Sequence, residues 1–225
     1  RLLLVARLAQ VEAERLADSV AGADAGLLSI PKSSSGVKNL KQVCQVVPDI
    51  PWGGWLKEFG KEGIKKMVEA GGDFVVFPAA SASLAMLEEE KLGKILEVEP
   101  GLDPGLLKAI DDLPVDAVLV AAEGGKDYSL SWQHLMLFRH CANLLSKPLL
   151  VSVPSKLAAS ELQALWEAGV GGVVVDVEAE GKLAKLRQVI DKLVLPSPGK
   201  RRKAEPLVPH IGGEKVAASE EEEEE

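Results

Sequence analysis

The carboxylates of this sequence are the first residues whose spacing can do chemistry. Glu97 and Glu99 stand two apart, Glu123 follows in the next apolar segment, and Asp176 and Glu178 end the last one. Side chains two apart on a strand share a face. If that face points inward, Glu97 and Glu99 meet Glu123 from the neighbouring strand. Three carboxylates at one mouth can hold Mg²⁺ or Mn²⁺, with water completing the shell. They can also work as an acid/base pair in which one pKa is raised. Strand parity is open at this point, and the plainer reading turns these acids toward helices or solvent, paired with lysines.

The cations come next. Arg7 suits a substrate carboxylate or phosphate, gripped through two parallel hydrogen bonds. Lys32 can bind the same groups, or form a Schiff base if buried. The candidate catalytic set is therefore Arg7, Lys32, Glu123 and Asp176, with Glu97, Glu99 and Glu123 as candidate metal ligands. Trp52 and Trp55 flank two glycines and can wall a pocket or simply pack. His134 and His140 are six apart, do not share a helix face well, and receive no role.

These residues need a scaffold that brings distant segments to one place. Short Val-, Leu- and Ile-rich runs read as strands buried on both faces. They are Leu2–Arg7, Gly26–Ile30, Ile50–Leu56, Asp73–Phe77, Lys94–Val98, Asp116–Ala122, Leu149–Val153 and Gly172–Val177. Between them lie stretches with apolar residues at three- and four-residue spacing, the signature of helices. The helical segments include Val11–Val20, Val37–Val47, Lys61–Glu69, Ser83–Lys91, Ser131–Leu145, Glu161–Ala168 and Gly181–Leu193, with another capped by Asp103 and opened by Pro104. Ser83 and Ser160 read as N-caps. Strict alternation implies a parallel sheet with helices outside. An open doubly wound sheet competes, but eight strands and eight helices favour a closed (βα)8 barrel.

The joints repeat. Ala21-Gly22-Ala23-Asp24, Ala70-Gly71-Gly72-Asp73, Leu113-Pro114-Val115-Asp116 and Ala168-Gly169-Val170-Gly171 precede the even strands. Glycine just past a helix suits a left-handed cap. One βαβα unit used four times can close a ring. The stretches EAGGDFVVFP (69–78) and EAGVGGVVVDV (167–177) resemble the helix-to-strand joints of aldolase-type (βα)8, or TIM, barrels. That resemblance covers about residues 1–193. It implies a site at the strand C-termini and names no reaction. Metal-dependent aldolases of this barrel type place carboxylate ligands on strands five and six, loosely similar to Glu97, Glu99 and Glu123.

Composition narrows the function classes. The 225 residues are 47% hydrophobic and 27% charged with a net charge of −8, ordinary for a globular domain and against a general nucleic-acid or anionic-membrane surface. Cys44 and Cys141 form no metal or redox motif and read as reduced thiols of a cytoplasmic protein. The opening nine residues are too short and too charged for a membrane span or a signal peptide. The barrel is expected over residues 1–194. Residues 195–225, with four prolines, the basic cluster Lys200–Lys203 and six terminal glutamates, read as a disordered tail. The loops after strands seven and eight lack the glycines that usually cradle phosphate, which counts against sugar-phosphate or flavin chemistry. The resulting expectation is a metal-assisted lyase or isomerase for a small carboxylated metabolite, with a non-catalytic binding or assembly barrel as the alternative. No nucleic-acid or membrane partner is expected, and the oligomeric state is open.

Overall fold

The computed structural model describes residues 1–9, 15–30, 33–56, 61–121, 128–177 and 182–193. The expected tail lies outside these residues, as do Lys32 and Glu123. Eight parallel strands close into a barrel in chain order. They are β1 (Leu3–Leu8), β2 (Ala25–Ile30), β3 (Trp52–Leu56), β4 (Phe74–Pro78), β5 (Gly93–Val98), β6 (Ala117–Val120), β7 (Leu149–Val153) and β8 (Gly172–Asp176). Around them run α1 (Leu16–Ser19), α2 (Ser33–Val46), α3 (Lys61–Glu69), α4 (Pro104–Ala109), α5 (Trp132–Leu144), α6 (Ala159–Glu167) and α7 (Lys182–Lys192). The (βα)8 barrel expected from the alternation is the fold.

The two faces of each strand bury different partners. Val5, Leu27, Val76, Leu119, Leu150 and Val174 meet inside the barrel, with Trp55, Phe74 and Ile95 packed against them. Their neighbours, including Leu4, Leu28, Val75, Val118, Val151 and Val173, face the helices. This two-sided burial is why the strands read as unbroken apolar runs. The pair Gly53 and Gly54 allows close approach on both faces. A Cβ on Gly53 would stand 2.3 Å from the Phe74 ring, and one on Gly54 2.7 Å from Met67 Cε.

Two expectations are corrected. The Ser83–Lys91 helix is a 3₁₀ turn over Leu84–Glu88, with Ser83 as its cap, accepting from the Ala85 N–H at 3.3 Å. Only residues 79–92 join β4 to β5. Five residues of α-helix advance about 7.5 Å, against roughly 16 Å for a five-residue strand, and the 3₁₀ form reaches about 10 Å. The short connection therefore stretches. Ser160 lies inside α6, whose N-cap is Ala158. There the Glu161 carboxylate accepts from the Ala158 N–H at 2.7 Å, so the acid does the capping. Among the described residues no helix is long and apolar enough to cross a membrane.

The repeated joints have a structural basis at the N-terminal end of the barrel. Gly22, Gly71 and Gly169 take φ of +88°, +85° and +94°, the left-handed cap conformation. The aspartate that ends three of the four joints then clamps one residue of the preceding odd strand. Leu4, Trp52 and Lys94 donate their N–H to Asp24, Asp73 and Asp116 at 2.8, 2.8 and 2.7 Å. The same aspartates donate their own N–H to those residues' carbonyls at 2.7–2.8 Å. In the fourth joint Gly171 keeps the backbone half, donating to Leu149 O at 2.8 Å, and has no carboxylate to add. Asp24 carries more than its counterparts. It also accepts from the buried Arg187 at 2.9 Å and from Arg1 at 2.6 Å.

Candidate functional site

Strand parity fixes what faces the opposite, C-terminal mouth. Because Val5, Leu27, Trp55, Ile95, Leu150 and Val174 point inward, so do Arg7, Ser29, Glu97, Ser152 and Asp176 two residues further along or back. Arg7 and Asp176 are register partners across the β1–β8 seam that closes the barrel. The Asp176 carboxylate accepts from both Nε and Nη2 of Arg7, a two-pronged ion pair. The Arg7 guanidinium carbon also lies 4.7 Å from the centre of the Trp55 ring, a cation–π contact. Trp55 Nε1 donates to Glu97 Oε2 at 2.6 Å. One polar chain thus runs from β8 through β1 and β3 to β5, over the plug formed by the apolar interior.

A second pair sits on the β7 side. The Tyr128 hydroxyl donates to the Ser152 carbonyl at 2.7 Å. Burial pushes the Tyr128 phenol up to about 12, with the Arg7 charge pulling it down and the Asp176 charge pushing it up. Those couplings place Tyr128 within electrostatic reach of the ion pair. The Ser152 Oγ is buried with no hydrogen-bond partner. A buried hydroxyl left unpaired costs about 1–3 kcal/mol, a cost that a ligand or water at the mouth would remove.

The sequence candidates divide clearly. Arg7 and Asp176 are together, and Glu97 joins them through Trp55. Glu99 is exposed one residue past β5. Lys32, Glu123 and Glu178 lie outside the described residues. Among the described residues, no group of three or more His, Cys, Asp or Glu side chains could hold a metal ion. The trio Glu97, Glu99 and Glu123 therefore turns on Glu123. Trp55 packs against the barrel interior and Arg7, and Trp52 takes the packing role on the outer face, its ring buried with Nε1 bonded to Val47 O at 2.8 Å.

Tyr128 escaped the sequence reading. The signal that could have found it is that it is the chain's single tyrosine, placed in the connection after β6, where barrel sites form. His134 has a structural task. Its Nδ1 accepts from the Ser131 N–H at 3.1 Å while Ser131 caps α5, and its ring lies 5.5 Å from that of Tyr128.

No protein-family model matches the sequence, and no curated protein does. Solved structures do match. Two mutants of the tryptophan synthase alpha-subunit from the hyperthermophile Pyrococcus furiosus align over 85% of this chain and 96–97% of theirs, with TM-scores of 0.62 and 0.63 at 15% and 16% identity. A further structure of that subunit, studied by X-ray analysis and calorimetry, gives 0.62 at 16% identity over 85% of this chain and 97% of its own. At such identity the likeness is one of fold, and the fold shared is the (βα)8 barrel.

Proposed function

We propose that this chain is a lyase or isomerase that works on a small carboxylated metabolite at the C-terminal mouth of the barrel. The observation that carries this reading is the chain of contacts joining Asp176, Arg7, Trp55 and Glu97. Asp176 and Trp55 hold the Arg7 guanidinium in one orientation, leaving Nη1 for a substrate carboxylate. Trp55 fixes one Glu97 oxygen, leaving the other to take a proton from the carbon beside that carboxylate. An isomerase returns the proton to the neighbouring carbon. A lyase delivers it to the departing group. Ser152 Oγ supplies a hydrogen bond to the substrate. The solved neighbours bear the name of a synthase subunit, so the fold hosts enzymes, though fold alone does not choose a reaction.

The metal-assisted form of this reading adds Glu99 and Glu123 to Glu97 around Mg²⁺ or Mn²⁺. Calorimetry with those ions tests it: binding lost in Glu97→Gln and in Glu123→Gln supports it, and no binding by the native chain removes it. The second reading, a non-catalytic binding or assembly barrel, is favoured by one feature: Asp176 already neutralises the mouth's described inward cation. A panel of small hydroxy-, keto- and dicarboxylic acids, followed by NMR for turnover and calorimetry for binding, separates the two. The enzyme reading expects Arg7→Met to weaken binding at least about tenfold, and Glu97→Gln to keep binding while kcat drops about 10²–10⁴-fold. Full kcat in Glu97→Gln, or unchanged binding in Arg7→Met, overturns it.

A further inference from the structure

The side chains at the mouth sort by hydrogen-bonding role. Arg7 can only donate, and Asp176 and Glu97, as carboxylates, can only accept. Asp176 is committed to Nε and Nη2 of Arg7, and one Glu97 oxygen to Trp55 Nε1. On the β7 side two hydroxyls differ in what they have left to offer. Ser152 lies one residue past the last pairing of β7 with β6, Val151 with Val120, and the Tyr128 hydroxyl takes up its carbonyl there at 2.7 Å. With its proton so engaged, the Tyr128 oxygen can only accept from a ligand. Ser152 Oγ is buried with no hydrogen-bond partner among the described residues, so it is free to donate and to accept. Both hydroxyls are thus held at one spot, the end of β7.

We infer that the molecule bound at this mouth is a hydroxy acid with a single carboxylate. Its carboxylate lies on Arg7, and its hydroxyl accepts from Ser152 Oγ and donates to the Tyr128 oxygen. The inference rests on the carboxylate reading of Arg7 given above and adds the group that stands beside it. A hydroxyl both donates and accepts, so it answers both oxygens at the end of β7. A keto oxygen only accepts. It takes the Ser152 proton but turns a lone pair toward the Tyr128 oxygen. A methylene leaves the buried Ser152 hydroxyl unpaired, and sites built for a substrate hydroxyl reject analogues that lack it. Tyr128 keeps its proton through neutral pH, because burial pushes its phenol up to about 12, so its oxygen stays an acceptor. Charge limits the ligand to one carboxylate. Of the charged side chains described at the mouth, Arg7 is a cation already paired, and Asp176 and Glu97 are anions. A second ligand carboxylate would meet those anions and no described cation, a like-charge contact that works against binding.

Calorimetry on the full chain near neutral pH tests this with a matched three-carbon set: lactate, 3-hydroxypropionate, pyruvate, propionate and malonate. The better of the two hydroxy acids is expected to bind at least about tenfold tighter than pyruvate, propionate or malonate. Ser152→Ala is expected to bring it within about threefold of propionate, and Tyr128→Phe to bring pyruvate within about threefold of it. Circular dichroism on the same samples checks the fold, and Ser152→Ala removes a hydroxyl that no described residue bonds. A native chain that binds all five acids alike, or prefers pyruvate or malonate, overturns the inference. If Arg7→Met then weakens all five, the carboxylate reading survives that failure. A hydroxy-acid preference that persists in Ser152→Ala also overturns the inference. A preference lost in Ser152→Ala, with binding unchanged in Arg7→Met, supports the hydroxyl subsite and overturns the carboxylate reading instead. No binding of any acid overturns both.

Discussion

Tyr128 offers a direct reading of the mouth. It is the chain's single tyrosine, so phenolate absorbance at about 295 nm reports one group. Its phenol is pushed from 10.0 up to about 12, first by burial, with Arg7 and Asp176 acting in opposite directions. At pH 11 a tyrosine at 10 is about nine-tenths ionised, and one at 12 about one-tenth. The folded chain is therefore expected to show little phenolate at pH 11, while the same chain in urea shows nearly all of it. The unfolded chain loses this proton first. The stability tied to Tyr128 is thus complete below pH 10 and is lost as pH rises toward 12. Two substitutions separate the causes. Asp176→Asn removes a charge that opposes the phenolate and leaves Arg7 unpaired, so the midpoint falls. Arg7→Met removes the charge that favours the phenolate, so the midpoint rises. Burial is the largest cause, so neither variant returns to 10.0. Spectrophotometric titration with circular dichroism on the same samples confirms that the fold persists. A native midpoint near 10, or variants that move the same way, would refute the geometry drawn for the mouth.

Other consequences follow from the opposite end of the barrel. Asp24→Ala breaks the Leu4 clamp and leaves the buried Arg187 with Asp191, 2.7 Å away, as its one acidic partner among the described residues, so it is expected to cost about 3 kcal/mol, the low end for removing one partner of a buried pair. Asp73→Ala breaks only the equivalent clamp on Trp52 and is expected to cost about 1.5 kcal/mol. Urea unfolding measures both, and equal losses would mean that Arg187 contributes nothing through Asp24. Cys44 is held up at about 11 from 9.0, by burial first and by the Asp73 charge second, and its Sγ–H donates to Gly71 O at 3.4 Å. Its alkylation at pH 8 should run about 100-fold slower than that of a free thiol and speed up partially in Asp73→Asn, whereas a free-thiol rate in the native chain would exclude the half-buried placement.

Much of the fold was legible because its causes are local. A strand buried on both faces needs a continuous apolar run, and eight such runs were visible. The glycine in three of the four joints announced a left-handed cap, and Gly22, Gly71 and Gly169 have that conformation. The reason for the aspartate was less visible. Asp24, Asp73 and Asp116 follow the joints because each closes a two-way clamp on a residue about 20 positions earlier, and no local pattern states that pairing. The misread fourth helix shows the same limit. The run from Ser83 to Lys91 has apolar residues at helical spacing, yet Leu84 and Leu87 face solvent. What governs that segment is the distance it must span, which is a property of the barrel.

The site was legible in its residue types but not in its partnerships. Arg7 and Asp176 were both marked by their positions at strand ends, but their union depends on the seam where β8 meets β1, 169 residues apart in sequence. Closure alone creates that contact. In an open sheet, with the first and last strands not joined, the arginine and the carboxylate would be parted, and Trp55 would lose the oriented cation above its ring. The same closure settles the parity of β5. Once Ile95 fills the interior, Glu97 must face the mouth and meet Trp55, while Glu99, past the last pairing residue, is released to solvent. The chemistry open to this barrel is set by which carboxylates remain uncommitted once the ring closes. Among the described carboxylates, Asp176 is spent on Arg7, Glu99 has left the wall, and Glu97 is held by Trp55 through one oxygen, so the proton transfer proposed above rests on Glu97.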